Sequence, residues 1–249
     1  MRSKDQALDV WGEFACFSRP ELKVERFSYP IITPSAARGI FDAIYSKPSR
    51  SPANAKFRWQ VTRIEVGTQP SYVGLRRNEV KERVSVHSLV SWAGGKAEPE
   101  AIWADGDRDT VGTDMKGRTQ RQTMALKNVR YRLHAEIRPW PGFEERLPAL
   151  EAQFRRRAAG GKCIYQPYFG CREFPAYFEL VEPQAPTPEN VQWDQDIGLM
   201  LYDVFDLSRP GRSNDQPCIS LFRAVVCEGV LKVPEYDSDQ VLKGPGGRS

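Results

Sequence analysis

Residues 29–48, which read YPIITPSAARGIFDAIYSKP, indicate the fold more strongly than any other stretch. Thr33 is typical of a helix N-cap, and Pro34 suits the first helical position, where the N–H it lacks would have no partner. The helix is predicted to span residues 33–46, with one face buried because its apolar residues recur at helical spacing: Ala37, Ile40, Phe41 and Ile44. Tyr45 lies at the helix end, either as part of the core or as a phenol held towards a substrate.

Strand and helix patterns surround this helix on both sides. A second amphipathic helix is predicted at residues 144–159, ending in three arginines and two glycines. Period-2 alternation and apolar runs predict strands at residues 7–17, 57–66, 122–138, 199–206 and 220–231, and a further strand within 161–180. The order predicts an α+β, ferredoxin-like domain followed by a smaller β region. RNA-recognition modules of the RRM type use such a sheet.

The predicted domain organisation has three parts. Residues 1–180 form the ferredoxin-like domain, residues 181–234 the small C-terminal β region, and residues 235–249 a disordered tail. Inside the first part, residues 87–118 are punctuated by glycines and are predicted to be a long basic loop insertion. A loop of that length in a compact domain is usually functional or disordered.

The composition excludes several classes of protein. The chain has 249 residues, 40% of them hydrophobic, which is enough for a sizeable core. It has no apolar run long enough to span a membrane and no apolar leader, so we predict a cytoplasmic protein. Five cysteines without a CxxC pair and two histidines predict reduced thiols and no zinc site. The aspartates of residues 105–109 lack the glycine and final glutamate of a calcium loop, so no metal or cofactor is predicted.

The net charge of +4, from 36 basic and 32 acidic residues, does not by itself require a nucleic acid partner. Basic residues nevertheless cluster at 76–77, 116–130 and 155–157, and each cluster is either a solvated surface or part of a binding face. In the strand at 122–138, cationic side chains share the face opposite the apolar one: Arg130, Arg132, His134 and Arg138. That face suits a polyanion.

Six segments in collinear order resemble the fifth CRISPR-associated protein family, in its subtype I-C ("d" or Dvulg) variant. They are WGEFACFSRPELKVERFSYP (11–30), ITPSAARGIFDAIYSKP (32–48), FRWQVTRIEV (57–66), RRNEV (76–80), RTQRQTMALKNVRYRLHAEI (118–137) and YQPYFGCREFPAYFEL (165–180). The resemblance covers most of residues 7–232. PSAARGI and GCREFPA are its most specific parts.

This resemblance implies a RAMP-type ferredoxin-like fold and a place in the type I-C surveillance complex, Cascade. The implied partners are the 5′ handle and repeat stem-loop of the CRISPR RNA, the backbone filament subunit and the large PAM-reading subunit. Target DNA is implied only as an indirect partner. The implied activity is metal-independent cleavage of the precursor transcript within its repeat.

Such cleavage uses the RNA's own 2′-hydroxyl and leaves a 2′,3′-cyclic phosphate and a 5′-hydroxyl. The family's catalytic tyrosine maps onto Tyr45, and a phenol with a pKa near ~10 is better suited to orienting oxygens than to acting as a base. The family's Lys-His pair is missing, because Ala149 and Leu150 stand near its place. Candidate replacements are Lys127, His134, Arg155, Arg156, Arg157 and Lys162. A non-catalytic subunit that binds the handle is the alternative.

Phosphate contacts are expected from cationic side chains in and around the matching segments. They are Arg19, Lys23, Arg26, Arg38, Arg76, Arg77, Lys116, Arg118, Arg121, Arg155, Arg156, Arg157 and Lys162. Trp11, Phe27, Tyr165 and Tyr168 are either base-stacking platforms or core residues.

Overall fold

The computed structural model describes residues 3–22, 25–46, 56–81, 84–100, 117–182, 191–211 and 215–244. Lys23 and Lys116, two of the predicted phosphate contacts, lie outside these ranges, as do residues 101–116 of the predicted loop. The chain divides into two compact units, residues 1–73 with 124–249, and residues 74–123. The boundary predicted at residue 180 falls inside the first unit.

Strands predominate among the described residues. The strands are β1 (Gln6–Ala15), β2 (Arg26–Phe27), β3 (Phe57–Val66), β4 (Tyr72–Val80), β5 (Arg118–Pro139), β6 (Tyr177–Leu180), β7 (Gln195–Asp203), β8 (Ser220–Cys227), β9 (Val230–Lys232) and β10 (Val241–Lys243). The helices are α1 (Pro34–Ile44), α2 (Val86–Ala93) and α3 (Leu147–Ala159), the last preceded by a 3-10 turn at Glu144–Arg146. No described helix is both long and apolar enough to cross a membrane.

The first unit is built on four strands in the order β6–β1–β5–β3, in which every neighbouring pair is antiparallel. Helix α1 lies between β1 and β3 in the chain, and α3 lies between β5 and β6. Three aromatic rings join both helices to β3, since Phe41 and Phe154 each lie within 4.9 Å of the Trp59 ring centroid. Burial of each ring contributes roughly 1.5–3 kcal/mol.

Helix α1 agrees with the sequence prediction. The Thr33 hydroxyl caps its N-terminus by accepting a hydrogen bond from the Ala36 N–H at 3.2 Å. The four residues of the predicted apolar face are all buried. The predicted face of the second helix is also confirmed, because Leu147, Leu150 and Phe154 are buried in α3.

The C-terminal strands extend the same sheet, since β9 pairs with both β3 and β8. The prediction of a disordered tail is wrong for residues 235–244. Tyr236 is fully buried, its ring centroid lies 5.6 Å from that of Tyr202, and β10 pairs with β8. Burial of the Tyr236 ring against Tyr202 and the pairing of β10 with β8 hold this segment on the core.

The second unit contains α2 and the parts of β4 and β5 that fall within residues 74–123. The Ser85 hydroxyl caps α2 by accepting from the Ser88 N–H at 3.0 Å, and the helix ends at Gly94. The prediction of a loop from residue 87 is therefore wrong for residues 87–93. Gly94 and Gly95, two of the glycines that suggested a loop, directly follow the helix.

Candidate functional site

Tyr45 closes the C-terminal end of α1. Its N–H donates to the Phe41 carbonyl at 2.9 Å, and its carbonyl accepts from Trp59 Nε1 at 2.9 Å. The ring stacks on Phe57 with centroids 5.4 Å apart, and only 4% of the residue is exposed. Burial raises the pKa of the phenol, and the charge of Arg157 opposes this only in part. At neutral pH Tyr45 is therefore a protonated hydroxyl that can donate a hydrogen bond.

Arg157 and Lys162 lie beside this end of α1. Arg157 Nε donates to the Ile44 carbonyl at 2.7 Å, which joins the last turn of α3 to the last turn of α1. The Lys162 N–H donates to the Arg157 carbonyl at 2.9 Å, and the Lys162 side chain is exposed. No described carboxylate pairs with Lys162. We call Tyr45, Arg157 and Lys162 the Tyr45 site.

The structure does not bring Lys127 or His134 to the Tyr45 site. Phe57, on which Tyr45 stacks, pairs with Pro139 at the end of β5. Lys127 is exposed 12 residues earlier in the same strand, about 40 Å along the strand path. His134 points to the sheet face opposite α1, because the flanking residues of β5 face the helices.

His134 and Glu65 are the buried members of a cluster in which the side chains of Asp5 and Arg63 are about half exposed. His134 Nδ1 lies 2.8 Å from Asp5 Oδ2, its Nε2 lies 3.0 Å from Glu65 Oε1, and Arg63 Nη2 is 3.2 Å from the ring. The residue is 6% exposed. This geometry indicates that His134 stabilises the sheet.

Acidic residues neutralise most of the face that the sequence predicted to be cationic. Arg132 forms a bidentate ion pair with Asp9, with Nε–Oδ1 and Nη2–Oδ2 distances of 2.7 and 2.9 Å. Arg138 contacts Glu136 at 2.5 Å and Glu235 at 2.6 Å. Asp9 and Glu235 come from β1 and the C-terminal segment, so the pattern within β5 did not show them, whereas Glu136 lies on β5 itself. Arg130 is exposed, and no carboxylate of the described ranges pairs with it.

A His134→Leu variant is expected to lose about 1–3 kcal/mol of unfolding free energy, because the buried Glu65 carboxylate loses a donor. Urea denaturation measures this loss. RNA cleavage and RNA affinity are expected to stay at the wild-type level. Loss of cleavage in a variant of unchanged stability would restore His134 as a catalytic candidate.

Arg38 was predicted to contact phosphate, but two carboxylates of the chain hold it. Its Nε and Nη2 lie 2.8 and 3.2 Å from the carboxylate oxygens of Asp203, and its Nη1 lies 2.6 Å from Asp42 Oδ2. Burial raises the pKa of Asp42, and Arg38 opposes that shift. Because two acids surround one guanidinium, Arg38 is not available as a phosphate ligand.

A cleft of about 520 Å³ opens along the side of α1 that carries this network. The end of β1, the segment 165–170 and the end of β7 form its other walls. Its lining includes Arg38, Gly39, Asp42, Tyr165 and Tyr168. Tyr165 is 47% exposed, and burial raises the pKa of its phenol.

Four of the other predicted phosphate contacts already have a carboxylate partner in the described ranges. The pairs are Arg19–Glu21 at 3.8 Å, Arg26–Glu173 at 2.9 Å, Arg77–Glu79 at 2.8 Å and Arg155–Glu182 at 2.7 Å. Such partly exposed pairs contribute roughly 0–1 kcal/mol, so a phosphate can replace the carboxylate. Arg156 contacts Gln153. In the second unit Arg76 and Arg118 are exposed and Arg121 is half-buried.

Sequence reasoning missed Asp42 and Asp203. The four-residue spacing of Arg38 and Asp42 on a helix is a signal for an ion pair that the sequence contains. Nothing local points to Asp203, which lies on β7. Sequence reasoning also missed Tyr177, which is 54% exposed and stacks on Trp11 with centroids 6.3 Å apart.

Comparisons with known proteins agree with one another. The family described as CRISPR-associated protein (Cas_Cas5), in its Cas5d form, matches residues 7–234. A relative from Mannheimia succiniciproducens is 36% identical over 242 residues, covering 95% of this chain and 97% of its own. A relative from Thermus thermophilus is 37% identical over 237 residues, covering 90% and 89%. Both are named CRISPR pre-crRNA endoribonuclease Cas5d.

A solved structure described as a CRISPR-associated protein has the same fold. It superposes with a TM-score of 0.61 at 19% identity, and the match covers 97% of this chain and 98% of that one. A mostly antiparallel sheet with a few helices, an α+β fold, is therefore common to both. The chain belongs to the Cas5d family of CRISPR-associated proteins.

Proposed function

We propose that this chain is a precursor CRISPR RNA endoribonuclease that remains bound to the 5′ handle of its product. The main support is the alignment with two relatives of that name, which covers at least 90% of this chain. The proposal places the chain in the cytoplasm, within a type I-C Cascade. Its proposed protein neighbours there are the backbone filament subunit and the large PAM-reading subunit, and target DNA is met indirectly.

The strand order supports a ferredoxin-like core of the RAMP type. A βαββαβ chain of this kind carries its first and third strands side by side at the centre of the sheet. In the first unit those strands are β1 and β5, with β6 and β3 outside them. Both connecting segments contain a helix, and α1 and α3 pack on the same face.

The Tyr45 site is the proposed site of cleavage. The reaction needs the 2′-hydroxyl in line, a stabilised phosphorane and a proton for the leaving 5′-oxygen. The protonated Tyr45 hydroxyl can donate to a phosphate oxygen, and the Arg157 guanidinium can stabilise the developing charge. Lys162, exposed and unpaired with any described carboxylate, can supply the proton to the leaving oxygen.

A second candidate function is binding of the handle without cleavage. The observation in its favour is that Ala149 and Leu150 stand near the place of the family's Lys-His pair, inside α3. Leu150 is 5% exposed and packs into the core, so that position offers no acid or base. Tyr45 itself is nearly closed to solvent.

Incubation with repeat RNA in EDTA distinguishes the two candidates. We expect one cut per repeat, with a 2′,3′-cyclic phosphate on one product. Tyr45→Phe is expected to slow cleavage about 100-fold or more, in the range of one positioned proton donor, while RNA affinity is kept. The matched control is Tyr202→Phe, which removes a buried hydroxyl from the C-terminal strands.

Two other results would change the conclusion. If the wild-type protein shifts repeat RNA on a native gel and leaves it intact, the non-cleaving function is correct. If Tyr45→Phe cuts at the wild-type rate, the phenol has no part in the chemistry.

A further inference from the structure

Gly39 occupies the middle of α1, where glycine weakens a helix relative to alanine. A Cβ added at this position would meet no atom within 4 Å. Elsewhere the chain does need its glycines, because a Cβ at Gly12 would lie 2.8 Å from Phe169 and one at Gly170 2.1 Å from the Cys16 carbonyl oxygen. The packing of this chain therefore gives no reason for a glycine at residue 39. A glycine facing open space allows another molecule to approach the helix backbone closely.

The open space beside Gly39 is the cleft described above. Its volume of about 520 Å³ lies within the usual range of ligand sites, and it is larger than a single nucleobase needs. Tyr165 and Phe205 on its walls are 47% and 49% exposed. Exposed aromatic rings beside a smooth helix surface suit a flat ring that stacks.

The polar groups of the cleft favour an N–H donor over a phosphate. Asp42 Oδ2 accepts a hydrogen bond from Arg38 Nη1, and no donor in the described part of the chain lies within hydrogen-bond distance of Asp42 Oδ1. The side chain of Asp42 is 27% exposed, so Oδ1 is an open acceptor. With Asp203 also present, the network carries more negative than positive charge, which repels a phosphate.

A cation lies near the cleft without lining it. Arg172, two residues after the cleft-lining Gly170, is exposed and acts electrostatically on Tyr165. No carboxylate within the described ranges forms an ion pair with Arg172. A cation beside the cleft and an acceptor inside it match a nucleotide whose base enters while its phosphate stays outside.

We infer that the cleft binds one unpaired RNA base, turned out of the strand, with its ring between Gly39 and Tyr165 and an N–H edge towards Asp42. Every RNA base carries an N–H donor on its pairing edge, an exocyclic amine in adenine, cytosine and guanine and a ring N–H in guanine and uracil. This inference rests on the proposed binding of the CRISPR RNA handle. It adds a position that reads a base edge to the expected phosphate contacts.

The test fills the cleft from the helix side. Gly39→Leu places a side chain in the open space, whereas Gly39→Ala, the matched control, leaves most of it empty. Affinity is measured by fluorescence polarisation with the handle-bearing product RNA, and thermal unfolding is measured on the same samples. Gly39→Leu is expected to bind about tenfold more weakly or worse, because one stacked base is lost. Gly39→Ala is expected to bind as the wild type does and to be at least as stable.

A scan with abasic nucleotides identifies the base. One handle position is expected to weaken wild-type binding about as much as Gly39→Leu, and the two changes together no more than either alone. Tyr165→Ala, at an exposed position, is expected to cause the same loss if Gly39→Leu does not fold.

Three outcomes overturn the inference. If Gly39→Leu and Tyr165→Ala both bind the RNA as well as the wild type does, the cleft serves another occupant, such as a protein side chain. If no abasic position is coupled to Gly39, the lost affinity comes from another part of the RNA. If the wild type binds the handle RNA no better than a random hairpin, the proposed function itself fails.

Discussion

Arg38→Ala is expected to lose about 3–5 kcal/mol of unfolding free energy, because it leaves two carboxylates together without their cation. Asp203 is 1% exposed, and Arg38 forms a bidentate ion pair with its carboxylate at 2.8 and 3.2 Å. Asp42 shares the same guanidinium at 2.6 Å. Neither acid has another cation within the described ranges, so both would remain in a poorly solvated site.

Urea and thermal unfolding measure this effect. At 2–4 °C per kcal/mol for a chain of this size, the melting temperature is expected to fall by roughly 6–20 °C. Arg223→Ala is the matched control, since Arg223 also pairs with an aspartate, at 2.6 Å from Asp196, but its side chain is 74% exposed. That change is expected to cost less than about 1 kcal/mol. Equal losses in the two variants would show that the Arg38 network is no stronger than a surface pair.

The loss in Arg38→Ala is expected to depend on pH. Burial raises the pKa of Asp42 even with Arg38 present, so the folded state holds a proton at pH values where the unfolded chain has released it. Stability from this group therefore falls as pH rises through the interval above the unfolded value, near 3.9. Removing Arg38 raises the folded pKa further and widens that interval. The deficit is expected to shrink as the pH is lowered towards 4.

Local sequence signals predicted the elements well wherever the signal and the structure lie in one segment. The capping Thr33 and the apolar spacing fixed α1 to within two residues at its C-terminal end. The period-2 pattern of residues 57–66 gave both ends of β3. Capping and alternation act within a few residues, so a single segment contains the necessary information.

Partners from distant segments were not predictable in the same way. Alternation along β5 showed that His134 and Arg132 share a face, but their acidic partners come from other segments. Asp9 lies on β1, Asp5 directly precedes β1, and Glu65 lies on β3. Arg38 looked like a phosphate ligand because Asp203 lies far along the chain. Charge patterns in one segment thus overestimate how many cations are available to RNA.

Gly170→Ala is expected to lose about 2–5 kcal/mol of unfolding free energy, because it combines two costs. The backbone of Gly170 has φ of +78°, where an L-residue pays about 1–2 kcal/mol. An added Cβ would also lie 2.1 Å from the Cys16 carbonyl oxygen and 2.8 Å from its carbon. Overpacking of that kind typically adds about 1–3 kcal/mol.

Neither backbone can easily move aside. The Cys16 N–H donates to the Phe169 carbonyl at 3.0 Å, so the end of β1 and the segment around Gly170 are joined directly beside the clash. Gly142→Ala is the matched control, since Gly142 has φ of +87° but no atom within 4 Å of an added Cβ. It is expected to cost only the conformational part, about 1–2 kcal/mol.

The difference between the two variants measures how much the close approach of β1 and the GCREFPA segment contributes. Gly170 also lines the cleft beside α1, two residues after Tyr168. Relief of the clash has to shift one wall of that cleft, so Gly170→Ala is expected to weaken binding of the handle RNA as well as the fold. Equal unfolding losses in Gly170→Ala and Gly142→Ala would mean that the segment moves freely. In that case only the positive φ at residue 170 would require glycine.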